Sequence, residues 1–220
     1  MRLSHFLDEK LLSDKLSSIE MFVLMRDQAS FKTLFFSGDR AGDLGQVKTP
    51  GNPPFPHIWG KPSVMAHPTF LAYAVVSIQT FDLYVAFAKR IGIDLTGGFL
   101  FRPTSSDGTV IDKPFSSSAA DARLKHYLRE GEIGRAVSLH SFRSGCAITL
   151  ALSGTELQDI MGHVSWHNRS TAACYMQLSK VMSAGSPSSV LTGQTVNIED
   201  PGIFYDQCNN LRRFTPAFPR

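Results

Sequence analysis

The chain has 220 residues, 43% hydrophobic and 19% charged, enough apolar side chain for one packed domain with appendages and too little length for two full-sized catalytic domains. That composition excludes disordered and collagen-like classes, and three cysteines without a CxxC spacing (Cys146, Cys174 and Cys208) exclude a disulfide framework and a cysteine zinc site. A net charge of +3 permits an anionic partner without demonstrating one, and with no apolar run of membrane-spanning length and no signal-peptide stretch after Met1 the sequence reads as soluble and intracellular.

From Ser13 to Phe36 the apolar residues Leu16, Ile19, Phe22, Val23, Leu24, Leu34 and Phe35 recur near spacings of three and four with no internal Pro or Gly, which predicts a long helix stopped by Ser37-Gly38. Asp39 to Leu44 reads as a turn into a short helix. Residues 48–68 carry Pro50, Pro53, Pro54, Pro56, Pro62 and Pro68, which rules out regular helix and makes this the one plausible place for β-structure, at His57-Ile58-Trp59. Helical periodicity returns from Val76 to Ile91 and ends near Gly92, and a further helix is expected after the Phe99-Leu100-Phe101 run.

Ser116 to Ser118 cap a helix running from Ala119 to Arg129, whose Lys125 and Arg129 are candidate phosphate contacts or an ordinary solvated face. Helices follow over His140 to Leu152, Thr155 to Met161 and Asn168 to Met182. Beyond Ser183 the composition turns to Ser, Pro, Gly and Asn and predicts an extended tail.

Basic residues concentrate in two segments. Lys48, Lys61, Lys89 and Arg90 face only Asp82 within residues 44–93, and Arg135, Arg143, Arg169 and Lys180 outnumber Glu156 and Asp159 within residues 133–180. Two such segments can converge on one anion-binding face; scattered surface charge is the other reading.

The stretch richest in chemistry is Leu139 to Cys146, followed by Ile160-Met161-Gly162-His163 and Ala173-Cys174-Tyr175. His140 and Arg143 are three apart and project from one helix face, where a guanidinium fork and an imidazole can hold one phosphate. His163 sits at a helix end beside Gly162, and Tyr175, on the next predicted helix, offers a phenol that becomes an oxygen nucleophile once its proton is removed. Together they read as a phosphodiester site with a covalent tyrosine. A zinc site at His163 and His167 lacks the Glu of an HExxH box and an evident third ligand, so no metal is expected. Trp166 reads as a core aromatic or as a stacking platform for a base.

These residues resemble the catalytic domain of the tyrosine recombinases, the phage-integrase-type enzymes, and within that family the eukaryotic mobile-element branch of crypton-type recombinases. The resemblance runs from about Phe31 to Val181, in the family's order. Gly38-Asp39-Arg40-Ala41-Gly42-Asp43-Leu44 matches the turn of the first arginine, His140-Ser141-Phe142-Arg143 the His-x-x-Arg box, Met161-Gly162-His163 the Leu-Gly-His motif, and Tyr175 the nucleophile. Trp59-Gly60-Lys61 falls where the family carries its lysine on a β-hairpin.

The resemblance implies a mainly α fold with a small β-hairpin or sheet (α+β), the multi-helical catalytic domain of DNA breaking-rejoining enzymes. Residues 1–30 would be a helical lead-in too short for the separate helical domain that precedes the catalytic one in family members, 31–182 the catalytic domain, and 183–220 the tail. It also implies a metal-independent and cofactor-free DNA strand transferase. Tyr175 would attack a phosphodiester, Arg40 and Arg143 would stabilise the non-bridging oxygens, His140 and His163 would position the phosphate or move protons, and Lys61 would protonate the leaving hydroxyl. Double-stranded DNA, self-association as a tetramer and a nuclear location follow by the same resemblance. The alternative expectation is a catalytically weak or silent DNA-binding module that keeps the fold.

Overall fold

The computed structural model describes residues 2–12, 15–49, 68–134, 137–152, 155–170 and 172. The chain divides into two compact units, Met1–Asn168 and Arg169–Arg220, and the architecture below is that of the first. Seven helices are present among the described residues: α1 (Arg2–Leu11), α2 (Ser18–Ser37), α3 (Ala41–Gly45), α4 (Pro68–Arg90), α5 (Ser117–Glu130), α6 (Leu139–Leu152) and α7 (Leu157–His163). The protein is mainly helical.

Local chemistry sets the ends of these helices. Ser17 and Glu20 form a reciprocal capping box at the start of α2, and Gly38 ends it in the left-handed conformation at φ 64°, its N–H bonded to the Leu34 carbonyl. Ser116 caps α5 by accepting the Ala119 N–H at 3.1 Å. The same left-handed termination closes α4 at Gly92 and, with non-glycine residues, α5 at Glu132 (φ 50°) and α7 at Ser165 (φ 52°). In those two cases the next amide reaches back a full turn, Ile133 N–H to Leu128 O and Trp166 N–H to Met161 O.

Helix α2 is the hub. It packs against α1, α3, α4 and α6, while α5 contacts α1, α3 and α6, and α7 rests on α6. Its apolar residues recur near spacings of three and four, yet the consecutive residues Arg26 to Phe31 are all buried. A helix with neighbours on several sides has no solvent face, so polar side chains on it must find partners inside. By contrast α1 buries a single stripe, Leu3, Phe6, Leu7 and Leu11.

Aromatic packing joins the layers. Tyr84 of α4 stacks on Phe101 at 5.9 Å and meets Phe22 at 5.5 Å, while Phe31 stacks on Phe142 of α6 at 5.5 Å. Each such ring contributes about 1.5–3 kcal/mol through burial. The Tyr84 hydroxyl donates to the Leu100 carbonyl at 3.0 Å, and burial pushes its phenol well above the ordinary value.

The polar residues of α2 close on a buried cluster. Asp27 accepts from Arg26 Nε at 2.9 Å, Arg123 Nε at 2.7 Å and the Tyr127 hydroxyl at 2.8 Å. Arg26 also donates to the Arg102 carbonyl at 2.9 Å and lies 4.1 Å from the centroid of the Phe115 ring. Asp27 thus ties α2 to α5 from inside the core. Burial raises the Tyr127 phenol, and the Asp27 charge raises it further.

Two expectations change here. No helix follows Phe101: the chain runs irregularly to the start of α5 at Ser117. Arg102, Asp107 and Asp112 organise that segment, with Asp112 accepting the Phe99 N–H at 2.8 Å and Asp107 the Thr109 N–H at 3.1 Å. These side chains offer the backbone partners that compete with a helix. The expected small sheet does not appear among the described residues, which hold no strand and two isolated antiparallel bridges, Lys48 with Phe99 and Thr104 with Val110. His57-Ile58-Trp59 lies outside the described residues. No helix among the described residues is long and apolar enough to cross a membrane.

Candidate phosphodiester site

The C-terminal end of α2 is where the candidate motifs meet. Gly38 turns the chain out of α2, and its left-handed φ is matched by tight surroundings: a Cβ there would lie 2.6 Å from Val164 Cγ1 and 3.4 Å from Cys146 Sγ. Only glycine lets the turn approach the α7 corner so closely. Two residues later Arg40 starts α3, and its carbonyl accepts the N–H groups of Asp43 and Leu44, each at 3.0 Å.

Arg143, from the second turn of α6, fastens this turn. Its guanidinium donates one N–H to the Gly38 carbonyl at 2.5 Å and another to the Val164 carbonyl, and it lies 5.7 Å from the centroid of the Trp166 ring. One side chain therefore bridges the end of α2 and the end of α7. His163 adds a parallel tie, its Nε2 donating to the Phe36 carbonyl at 2.8 Å, so that this nitrogen carries the ring proton. Cys146 sits beneath, its Sγ 3.8 Å from the same carbonyl, and burial pushes its thiol up to about 12.

Three motifs far apart in sequence are thus joined by direct hydrogen bonds: the Arg40 turn, the His-x-x-Arg box and the Gly-His corner. Their side chains differ in exposure. Arg143 is 4% exposed and His163 is 9% exposed, whereas the Arg40 side chain is 65% exposed, 3.7 Å from the Asp43 carboxylate. His140 is exposed in the first turn of α6, and its carbonyl accepts the Ser144 hydroxyl at 3.3 Å.

The expected common face of His140 and Arg143 needs a correction. Positions three apart on an α-helix differ by about 60° around the axis. Here the edge of the buried face falls between them, with Arg143 inside and His140 in solvent. Trp166 is a core aromatic, buried beneath Arg143. His167 is exposed beside it.

Lys61 and Tyr175 lie outside the described residues. On α5, Lys125 is exposed and paired with Asp121 at 2.6 Å, and Arg129 is exposed with its Nε donating to the Lys125 carbonyl at 3.3 Å. Both charges stand on a solvated face, and the first is largely neutralised along its own helix. Among the described residues no three His, Cys, Asp or Glu side chains group as metal ligands.

Sequence reasoning missed the acceptors at this corner, the carbonyls of Phe36, Gly38 and Val164. Backbone oxygens leave no mark on residue identity. The available signal was Gly38, whose requirement for a left-handed turn beside Arg40 was visible.

The chain matches no protein-family model, no curated protein and no solved structure in the comparisons made.

Proposed function

We propose that this chain is a DNA strand transferase of the tyrosine recombinase kind, cleaving and rejoining duplex DNA through a covalent phosphotyrosine. The observation that carries the reading is the meeting of the Arg40 turn, Arg143 and His163 at the end of α2, joined by the Arg143 bonds to Gly38 and Val164 and the His163 bond to Phe36.

In this reading the Tyr175 oxygen attacks phosphorus and loses its proton to a neighbouring base. The bond from phosphorus to the departing deoxyribose oxygen breaks, and Lys61 protonates that oxygen. The exposed guanidinium of Arg40 meets the charge on the non-bridging oxygens, and His140 positions the phosphate or moves a proton. The phosphotyrosine retains the ester's energy, so rejoining needs no nucleotide. The small hairpin carrying Lys61, assembly of several copies on DNA and a nuclear location belong to the same proposal.

A second reading, a DNA-binding module without strand cleavage, draws on the burial of Arg143 and its commitment to backbone carbonyls. Incubation with nicked or half-site duplexes followed by denaturing electrophoresis separates the two. The enzyme gives a slow-migrating protein–DNA adduct that disappears in Tyr175→Phe. Salt-sensitive duplex binding without an adduct, unchanged in that variant, favours the module. No binding at either salt extreme refutes both.

A further inference from the structure

We propose that α4 is an interaction surface for a second copy of this chain, the two α4 helices pairing antiparallel about a twofold axis. The pairing is independent of the phosphodiester reading and needs no DNA. From Gln79 to Arg90 the helix has two faces. Phe81, Tyr84, Phe87 and Ala88 are buried, with Tyr84 against Phe22 and both Phe81 and Tyr84 against Phe101. On the opposite face Gln79, Asp82, Leu83, Ala86, Lys89 and Arg90 are all exposed, Leu83 at 60%. A single exposed leucine is ordinary, but this one stands in a register. Gln79, Leu83, Ala86 and Arg90 are spaced four, three and four, the seam of a coiled coil, and the sequence carries the same spacing back through Val76 to Ala72.

The charges beside the seam select the occupant. Asp82 and Lys89 are opposite in sign and seven residues apart, so they stand on the same edge of the seam about 10 Å from each other along the axis. Neither makes an ion pair with another described residue. They are too far apart to pair within one helix, where partners lie three or four positions away. A twofold axis across the helix, midway between them, brings each Asp82 to the partner's Lys89. The same operation lays Leu83 on the partner's Ala86 and Gln79 beside the partner's Arg90, and every contact occurs twice, as an isologous interface requires. Ala86 is small enough to receive the leucine and to let the two backbones approach. A parallel pair in register would instead set like charges at the same height. The surface complementary to this face is therefore the face itself.

Sedimentation velocity of the full chain, without DNA, tests this. The wild type should pass from monomer to dimer over about 1–100 μM, as befits a small interface. Leu83→Asp should weaken the dimer by about a hundredfold while leaving the far-UV circular dichroism of the monomer unchanged, because that side chain is exposed in the single chain. Asp82→Lys and Lys89→Asp should each weaken self-pairing by about tenfold, the double reversal in one chain should restore it, and mixing the two single variants should give a heterodimer tighter than either alone. If Leu83→Asp disturbs the fold, the charge reversals, all on exposed residues, still decide. A wild type that stays monomeric over the whole range overturns the proposal, whatever else covers the face. A dimer indifferent to Leu83→Asp and to the charge reversals uses another surface and overturns it equally. Loss of duplex binding in the strand-transfer assay leaves this result untouched, so the two readings fail separately.

Discussion

Arg26 and Arg143 are both buried, at 2% and 4% exposure, and the structure holds them in different ways. Arg26 shares the Asp27 carboxylate with Arg123, inside a cluster closed by Tyr127 and Phe115, and adds one bond to the Arg102 carbonyl. Arg143 bonds the carbonyls of two turns. A carboxylate partner fixes side chains relative to one another and cancels charge, which suits a core. Carbonyl partners fix backbone, here that of the turns at Gly38 and Val164.

The sharpest way to break this contrast is to remove the carboxylate. Asp27→Asn leaves two guanidiniums, one of them fully buried, around a neutral amide, and should cost about 3–5 kcal/mol of unfolding free energy, read from urea denaturation. A loss below 1 kcal/mol on that scale would mean that the cluster is not the anchor of α2 against α5.

Gly38→Ala probes the other region. The left-handed φ and the 2.6 Å approach to Val164 Cγ1 together predict a cost of about 2–3 kcal/mol. Duplex affinity should fall with it, because the Arg40 turn must shift. An unchanged denaturation midpoint would show that the turn yields freely, and the contrast with the Asp27 cluster would be lost.

Smaller effects of opposite sign are expected where helices end in left-handed residues without glycine. Ser165→Gly and Glu132→Gly each relieve a positive φ on an exposed residue and should stabilise by about 0.5–1 kcal/mol. Ser165 adjoins the Val164 carbonyl held by Arg143, so its stabilisation should leave the Arg40 turn undisturbed in hydrogen-exchange experiments.

The least costly polar network is the exposed capping box. Bonds from the Ser17 hydroxyl and backbone hold the Glu20 carboxyl below its ordinary value of 4.5. A lowered folded-state value means stability that is present above that ordinary value and lost as pH falls through the folded one. Thermal melts should therefore show an acid-side decline that Glu20→Gln flattens, in contrast to Asp27→Asn, which should lower the melting temperature at neutral pH.

Local signals made much of the helical layout legible. The stop at Ser37-Gly38, the serine caps before α5 and the span of α6 all came from side chains acting within one or two turns. The interior of α2 was less legible, because Arg26, Asp27, Gln28 and Ser30 are polar residues that look solvated until neighbours cover them. The helix expected after Phe101 failed for a related reason: Asp107 and Asp112 bond nearby amides and stabilise turns that a periodicity count does not register.

By itself the sequence determined that the chain is mainly helical and where most of those helices begin and end. Capping, glycine stereochemistry and apolar spacing are short-range properties, and residue identity records them directly. Tertiary structure alone decided that Arg143 faces inward, that His140 faces out, and that the carbonyls of Gly38 and Val164 are the groups that join the motifs. Which side of a helix is covered depends on what packs against it, and every residue carries the same carbonyl, so neither fact is written in the letters of the chain.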